Sequence, residues 1–388
     1  MKITPKQLTE KFAIHGYDPQ HAWGTTAQPE QGCTAEDYIA LAEQSLPDSR
    51  KQMTDFADEY GYSYAVLTQK DLYEYETGTK ATSPDSSKSS STNSPVVEAN
   101  FRKWFEEKCK ETGQNPNVDL LIVTSCVKDL DTAAKKTFLK GKSADRIIDY
   151  QRGMYVVLKQ SDAKKETKSL NTLARLINDI ENDKRTIARK NLYWKPHETT
   201  GFRAHKTLRT ATVPPGQEYE GMQCLTEVKI EHESQMGLDR ATRPFLHISR
   251  AAARAKRETN YNLIRDFSST TFDKRRPQNP SKHTRKTAQS SNVIAGWSRD
   301  LYNRINSDAG LDLFTNPQAT PAEKAAIKPP SHQEILNKIK HCNSTNVQKG
   351  LVKTVLNSLA QSEVMPEKQT NEIKQLLGVK RQQAPKAP

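Results

Sequence analysis

Short apolar segments alternate with amphipathic ones in the middle of this chain, and this order constrains its fold most. Residues 118–123, 154–158 and 225–230 have the length and composition of buried or half-buried strands. Residues 97–109 and 166–188 place apolar side chains at every third or fourth position, which is typical of helices that pack on one side. The order predicts an α/β (α+β) fold, with a mixed β-sheet flanked by helices.

Changes in composition divide the chain into six segments. In chain order these are an N-terminal helical segment, a Ser-rich linker, an α/β domain, a basic linker, a small helical module and a disordered tail, at residues 1–78, 79–96, 97–265, 266–324, 325–380 and 381–388. The helical signals of the first segment are modest, at residues 37–42 and 53–60. Ser331 and Glu334 form a capping-box pattern that opens the helical module.

The net charge of +13 is unevenly distributed. Between Arg240 and Lys286, 13 Lys and Arg residues stand against 3 acidic ones, a local excess of ten positive charges. Such a block attracts polyanions, including nucleotides, tRNA or an anionic surface. A solvated basic face is an equally good interpretation.

The cysteines and the hydropathy pattern predict a cytoplasmic protein. The 5 cysteines are scattered without a CxxC pair, which favours reduced thiols over a disulfide framework or a zinc site. No run approaches 18 apolar residues, so no membrane span is expected, and residues 1–12 lack the apolar core of a signal peptide. The Ser-rich linker and added helices also suit an effector or toxin delivered into a target-cell cytosol.

Two segments carry candidate phosphate and metal ligands. Lys128 and Lys136, at the end of one strand and on the next helix, can face one phosphate chain, although lysines at this spacing are commonly surface residues. Asp149 precedes Arg152 by three residues at the start of the next strand. Mg²⁺ prefers one or two carboxylates plus substrate phosphates, so Asp149 is a candidate ligand. An Asp at this position can equally be a cap.

A third segment, residues 194–206, combines a turn with an aromatic ring and cations. Gly201 permits a tight turn, and Phe202 offers a ring for base stacking. Arg203 and Lys206 offer charge for phosphates. The alternative is a turn with a core Phe.

The fourth segment supplies a second carboxylate. Glu227 alternates onto the same face of its strand as Lys229, a further candidate nucleotide-binding residue, opposite the apolar side chains. An acid on that face is usually solvated, but Glu227 can also pair with Asp149 to hold Mg²⁺ or act as a base.

In order and spacing, these segments resemble RelA/SpoT-type (p)ppGpp synthetases, a branch of the nucleotidyltransferase-like folds. The resemblance extends over residues 115–260 of the 388-residue chain. The matching motifs occur in the family's order at residues 126–136, 149–156, 201–204, 227–230 and 242–250. The resemblance implies an ATP-using, Mg²⁺-dependent pyrophosphokinase that modifies the ribose 3′-hydroxyl of GDP or GTP.

The resemblance also implies roles for individual residues on the ATP side of the site. Lys128 and Lys136 would bind the ATP phosphates, and Asp149 would hold Mg²⁺. Arg152 would lie near the adenine or the phosphates.

On the acceptor side, Phe202 takes the place of the tyrosine that stacks on the acceptor base. Glu227 would activate the 3′-hydroxyl or hold metal. The sequence departs from the family pattern at three further positions, because Cys126 replaces an arginine, Asp129 a serine and Arg243 a histidine.

These departures leave the acceptor open. One alternative is a toxin-like pyrophosphokinase that acts on the 3′ end of tRNA, which would suit the basic block at 240–286. Another is a catalytically degenerate domain that binds nucleotide or RNA. The C-terminal helices are a candidate surface for a protein partner, and no hydrolase-type His-Asp pair is found near the N-terminus.

Overall fold

The computed structural model describes residues 35–79, 97–129, 133, 147–159, 166–193, 196–197, 201–243, 245, 282–311, 329–342 and 349–378. The chain divides into two compact units. The first comprises residues 1–97, 102–196 and 203–233, and the second comprises residues 98–101, 197–202 and 234–388.

A six-stranded mixed sheet forms the centre of the first unit. Its strands are β1 Tyr64–Leu67, β2 Leu120–Val127, β3 Gln151–Val157, β4 Thr186–Asn191, β5 His205–Thr212 and β6 Gln223–His232. Their order across the sheet is β1-β2-β3-β6-β5-β4. The pairs β1/β2 and β3/β6 are parallel, whereas the β2/β3, β5/β6 and β4/β5 pairs are antiparallel. The predicted mixed sheet flanked by helices is confirmed.

The helices lie before, between and after these strands. In chain order they are α1 Ala35–Glu59, α2 Gln69–Thr77, α3 Phe101–Thr112, α4 Glu166–Asn182, α5 Lys282–Asp308, α6 His332–Lys340, α7 Lys349–Ser362 and α8 Glu367–Leu376. Residues 236–243 are also helical. Within the described residues, no helix has the length and apolar character that crossing a membrane requires.

Two helices cover the same face of the sheet. The Ser49 hydroxyl of α1 lies 3.2 Å from Thr226 Oγ1 of β6. The Ser169 hydroxyl of α4 lies 3.2 Å from His232 Nε2 at the end of the same strand. Thr226 and His232 are an even number of residues apart, so their side chains share a face. The odd-numbered side chains of β6 therefore lie on the other face.

The N-terminal segment differs from its prediction. Its two helical signals belong to one helix, α1, and strand β1 follows. β1 pairs in parallel with β2, with Tyr64 opposite Leu120. These residues therefore belong to the sheet unit instead of forming a separate helical segment at 1–78, as the sequence predicts.

The region predicted as a basic linker, residues 266–324, contains helix α5. Ile294, Trp297 and Leu301 of α5 are buried in the core of the second unit, at spacings of three and four residues that place them on one side of the helix. The same core contains Leu238, Ile335, Ile339, Val355, Leu359 and Ile373. The many charged residues of this region lead to the prediction of a linker, although the apolar residues of a helix are present among them. The capping box predicted at Ser331 is present, with Glu334 as its partner.

Candidate active site

The strand register brings four of the predicted site residues onto three neighbouring strands. β3 and β6 pair with Arg152 opposite Glu227. β5 and β6 pair with Lys206 opposite Lys229. Directly opposed residues share a face, as do residues two apart in one strand. Arg152, Lys206, Glu227 and Lys229 therefore share the sheet face opposite the one that α1 and α4 cover.

A glycine next to Arg152 explains how helix α1 packs so closely against β3. A Cβ atom on Gly153 would lie 2.5 Å from Met53 Sδ of α1 and 2.9 Å from Ser125 Oγ, which is closer than real Cβ contacts. Gly153 thus allows α1 to pack against β3. Because successive residues of a strand point to opposite faces, Arg152 projects away from α1.

Asp149 lies just before β3 and binds two of the predicted cations. Its Oδ2 atom accepts a hydrogen bond from Lys128 Nζ at 3.0 Å and another from Arg152 Nη2. The Lys128 and Asp149 side chains are only 3% and 6% exposed, whereas Arg152 is 45% exposed. The Lys128 backbone amide also donates to the Tyr150 carbonyl at 2.7 Å, which fixes the end of β2 beside this turn.

Glu227 forms the second half of the network. Its Oε1 atom lies 3.1 Å from Lys206 Nζ. Burial opposes the charge of Arg152, but the carboxylates of Asp149 and then Glu227 outweigh it, so that the pKa of Arg152 is raised above its ordinary value. Arg152 therefore lies in the electrostatic field of both carboxylates, and it stands directly opposite Glu227 in the pairing of β3 with β6.

Lys229 has a partner that the sequence did not indicate. Its ammonium lies 2.7 Å from Oε1 of Glu231, whose side chain is fully buried. Alternation along β6 places Glu231 on the same face as Glu227. Glu231 is therefore a third acidic residue on the face of the predicted site. The alternation of side chains along the strand, which identifies Glu227 in the sequence, also identifies Glu231.

The third motif is divided between the two units. Phe202 belongs to the second unit, where its ring packs edge-on against Tyr302 with the ring centroids 5.9 Å apart. Arg203 belongs to the first unit and is only 3% exposed. The packing of Phe202 against Tyr302 corresponds to the alternative of a turn with a core Phe.

Two predicted features lie outside the described residues. Lys136 is one of them, so the structure gives no account of the second predicted phosphate lysine. Most of the basic block at 240–286 is the other.

Cys126 stands opposite Arg152 in the β2/β3 pairing. Burial raises the pKa of its thiol, against the effects of Arg152, Lys128 and Arg50. The thiol is therefore neutral at pH 7 and cannot supply the positive charge that the family pattern has at this position.

The donor chemistry of the site fits a magnesium ion that is bound together with substrate. Asp149 and Glu227 offer carboxylate oxygens, and Mg²⁺ is usually held by one or two carboxylates together with substrate phosphates. Among the described residues, no group of three or more His, Cys, Asp or Glu side chains forms a ready metal cage. A site of this composition needs the oxygens of a ligand to complete the metal's coordination.

Comparisons with known proteins return solved structures only. No family model matches this chain, and no curated protein matches it. One similar structure is small alarmone synthetase 1 from Bacillus subtilis bound to its product pppGpp, at 11% identity and a TM-score of 0.24, over 51% of this chain and 84% of that one. Another is a GTP pyrophosphokinase family protein from Streptococcus pneumoniae, at 10% identity and a TM-score of 0.23, over 54% of this chain and 85% of that one.

Proposed function

We propose that this protein transfers the β,γ-pyrophosphate of ATP to the 3′-hydroxyl of a guanine nucleotide, GDP or GTP. The observation that carries the proposal is a network of two neighbouring groups, Lys128–Asp149–Arg152 and Glu227–Lys206, which the pairing of Arg152 opposite Glu227 brings side by side. It combines phosphate-binding cations with two carboxylates, and phosphoryl-type transfer needs little else from a protein.

In this reaction the 3′-oxygen forms a bond to the β-phosphorus of ATP. The bond from that phosphorus to the oxygen bridging the α-phosphate breaks, and AMP leaves. The proton of the 3′-hydroxyl passes to a base, and a carboxylate on the sheet face, Glu227, takes this role.

The three cations of the network differ in how exposed their side chains are to solvent. Arg152 and Lys206 are 45% and 20% exposed, so both can reach a phosphate chain that arrives from solvent. Lys128 is 3% exposed and holds Asp149 in place. When bound, Mg²⁺ would neutralise phosphate charge, with Asp149 and one carboxylate oxygen of Glu227 as its ligands, and the second oxygen of Glu227 would remain to take the proton.

The test is a transfer assay with γ-labelled ATP, Mg²⁺ and GDP, GTP or deacylated tRNA as acceptor. The expected result is a labelled guanine nucleotide and an equal amount of AMP. Label on tRNA and none on GDP or GTP would instead favour the toxin-like alternative, to which the basic block at 240–286 points. Tight nucleotide binding without AMP formation on any acceptor would favour the degenerate, binding-only alternative.

Glu227→Gln should lower kcat by about 10²- to 10⁴-fold, because it removes the base and keeps the side-chain shape. Asp55→Asn is the matched control. It removes a carboxylate that pairs with Lys51 on the exposed side of α1, and it should leave kcat unchanged. Equal activity of the Glu227→Gln variant and the wild type would exclude Glu227 from the chemistry.

A further inference from the structure

One oxygen of each carboxylate assigned to the metal already bonds to the chain's own cations. Asp149 Oδ2 accepts from both Lys128 and Arg152, and Glu227 Oε1 binds Lys206 at 3.1 Å. Mg²⁺ binds oxygen at about 2.1 Å and is demanding of its geometry. An ammonium hydrogen-bonded to the same oxygen therefore competes directly with the metal.

The charges of this network favour a polyphosphate over a bare cation. Two carboxylates stand against three cations, so the network carries a net positive charge. A divalent ion that arrives alone meets repulsion from Lys128, Arg152 and Lys206. A nucleotide polyphosphate offers these cations new partners, since charge-assisted bonds to phosphate are among the strongest that Lys and Arg form.

Lys206 is the cation that holds Glu227, and it can change partners more easily than the buried Lys128. Its side chain is 20% exposed and that of Glu227 is 13% exposed, against 3% and 6% for the Lys128–Asp149 pair. Lys206 can therefore turn from Glu227 to a phosphate without opening a buried pair. Lys128 cannot do so at the same cost, because its departure would uncover a buried carboxylate.

We propose that Lys206 couples metal binding to nucleotide binding: it occupies Glu227 in the empty site, moves to a phosphate when ATP arrives, and thereby releases Glu227 to the metal. The inference rests on the proposed function for the assignment of Glu227 to the metal. It goes further in making Lys206 a positioning residue that keeps metal affinity low until nucleotide is present.

Mn²⁺ binding, followed by the electron paramagnetic resonance signal of the free ion, tests the inference. The nucleotide is α,β-methylene-ATP, whose α–β linkage the proposed reaction cannot break. In the wild type, the nucleotide should raise Mn²⁺ affinity by about 5- to 150-fold, the usual range of coupling between sites. Because coupling is reciprocal, Mn²⁺ should raise nucleotide affinity by the same factor, a check that needs no variant.

Lys206→Gln should bind Mn²⁺ more tightly than the wild type without nucleotide, and its coupling factor should shrink. Lys206→Arg keeps the charge and should restore the weak Mn²⁺ binding seen without nucleotide. Lys51→Gln, which removes an exposed lysine of α1, is the matched control and should bind Mn²⁺ as the wild type does. Circular dichroism confirms that each variant is folded.

Two results would overturn the inference. One is equal Mn²⁺ affinity of the wild type with and without nucleotide, and the other is unchanged Mn²⁺ affinity in folded Lys206→Gln. Either result, together with active pyrophosphate transfer, would leave the proposed function standing. Coupled Mn²⁺ and nucleotide binding without transfer to any acceptor would retain the inference and remove the proposed function.

Discussion

At the scale of single residues, the Asp149 carboxylate determines how the site is held. It is 6% exposed and takes two hydrogen bonds on one oxygen, from Lys128 and Arg152. A buried carboxylate is costly to leave unpaired, so both cations stabilise the fold as well as the site. The Lys128 contact joins the end of β2 to the turn that precedes β3.

Replacing Lys128 with methionine should therefore destabilise the protein. The variant keeps the apolar stem and removes the ammonium from a buried pair, so the free energy of unfolding should fall by about 3 kcal/mol. Urea denaturation measures it, with Lys51→Met as control. Lys51 pairs with Asp55 at an exposed position, where such pairs often contribute nothing measurable. Equal denaturation midpoints for Lys128→Met and the wild type would mean that this pair is not a stabilising contact.

The sequence identifies the members of the network but not their pairing. Asp149, Arg152 and Glu227 stand out by residue type and by position at the start of a strand or on one face of it, and Lys206 stands out as a cation beside the turn at Gly201. The bond between Lys128 and Asp149 joins residues 21 positions apart and depends on how β2 and β3 pair, which spacing alone does not give. The sequence predicts Lys128 and Lys136 as phosphate ligands, but it gives no indication that Lys128 bonds to Asp149.

At the scale of elements, the contact between α1 and β3 holds the strand that carries Arg152 in place. Gly153 faces α1, and Met53 and Ser125 fill the space where a side chain would be. The Tyr155 hydroxyl, two residues further along β3, donates to the Met53 carbonyl at 2.9 Å. Helix and strand are thus fixed to each other directly behind Arg152.

A double-mutant cycle tests this contact. Gly153→Ala should lower the free energy of unfolding by about 1–3 kcal/mol, because the added methyl overpacks the interface with Met53. Met53→Ala removes the atoms that clash, so the double variant should be more stable than the sum of the single effects predicts, by at least about 0.5 kcal/mol. Chemical denaturation of the four proteins gives the coupling. Strict additivity would show that Gly153 and Met53 do not share this space.

Strand prediction from the sequence succeeded where both faces of a strand are apolar. The sequence predicts β2 and β3 for this reason and β6 by its alternation, but it does not predict β1, β4 or β5. The inward side of β5 carries His205, Thr207 and Arg209, all of them buried. Arg209 is accommodated there because its Nη2 donates to Asp183 Oδ2 at 2.5 Å. Because polar side chains are buried where a strand normally has apolar ones, β5 lacks the alternation of apolar and polar residues that predicts a strand.

At the scale of the whole molecule, the two units have separate cores, and the sheet unit buries two histidines. Burial, and then Arg189, lowers the pKa of His205 to about 4. Burial, and then Lys159, lowers the pKa of His232 to about 3. Both histidines are therefore neutral in the folded sheet near neutral pH, whereas an unfolded chain protonates them below their ordinary pKa of 6.5.

The sheet unit should consequently lose stability as the pH falls below about 6.5, since the unfolded state then binds more protons than the folded state. Each buried histidine contributes at most about 1.4 kcal/mol per pH unit, until the pH reaches its folded pKa. His232→Gln keeps a group that can bond to Ser169 and removes one of the two titrations. Hydrogen exchange in β5 and β6, measured at about pH 7, 6 and 5, should show a shallower loss of protection in this variant. Identical pH slopes in the variant and the wild type would mean that His232 is not the titrating group, because carboxylate titrations contribute equally to both proteins and cancel in the comparison.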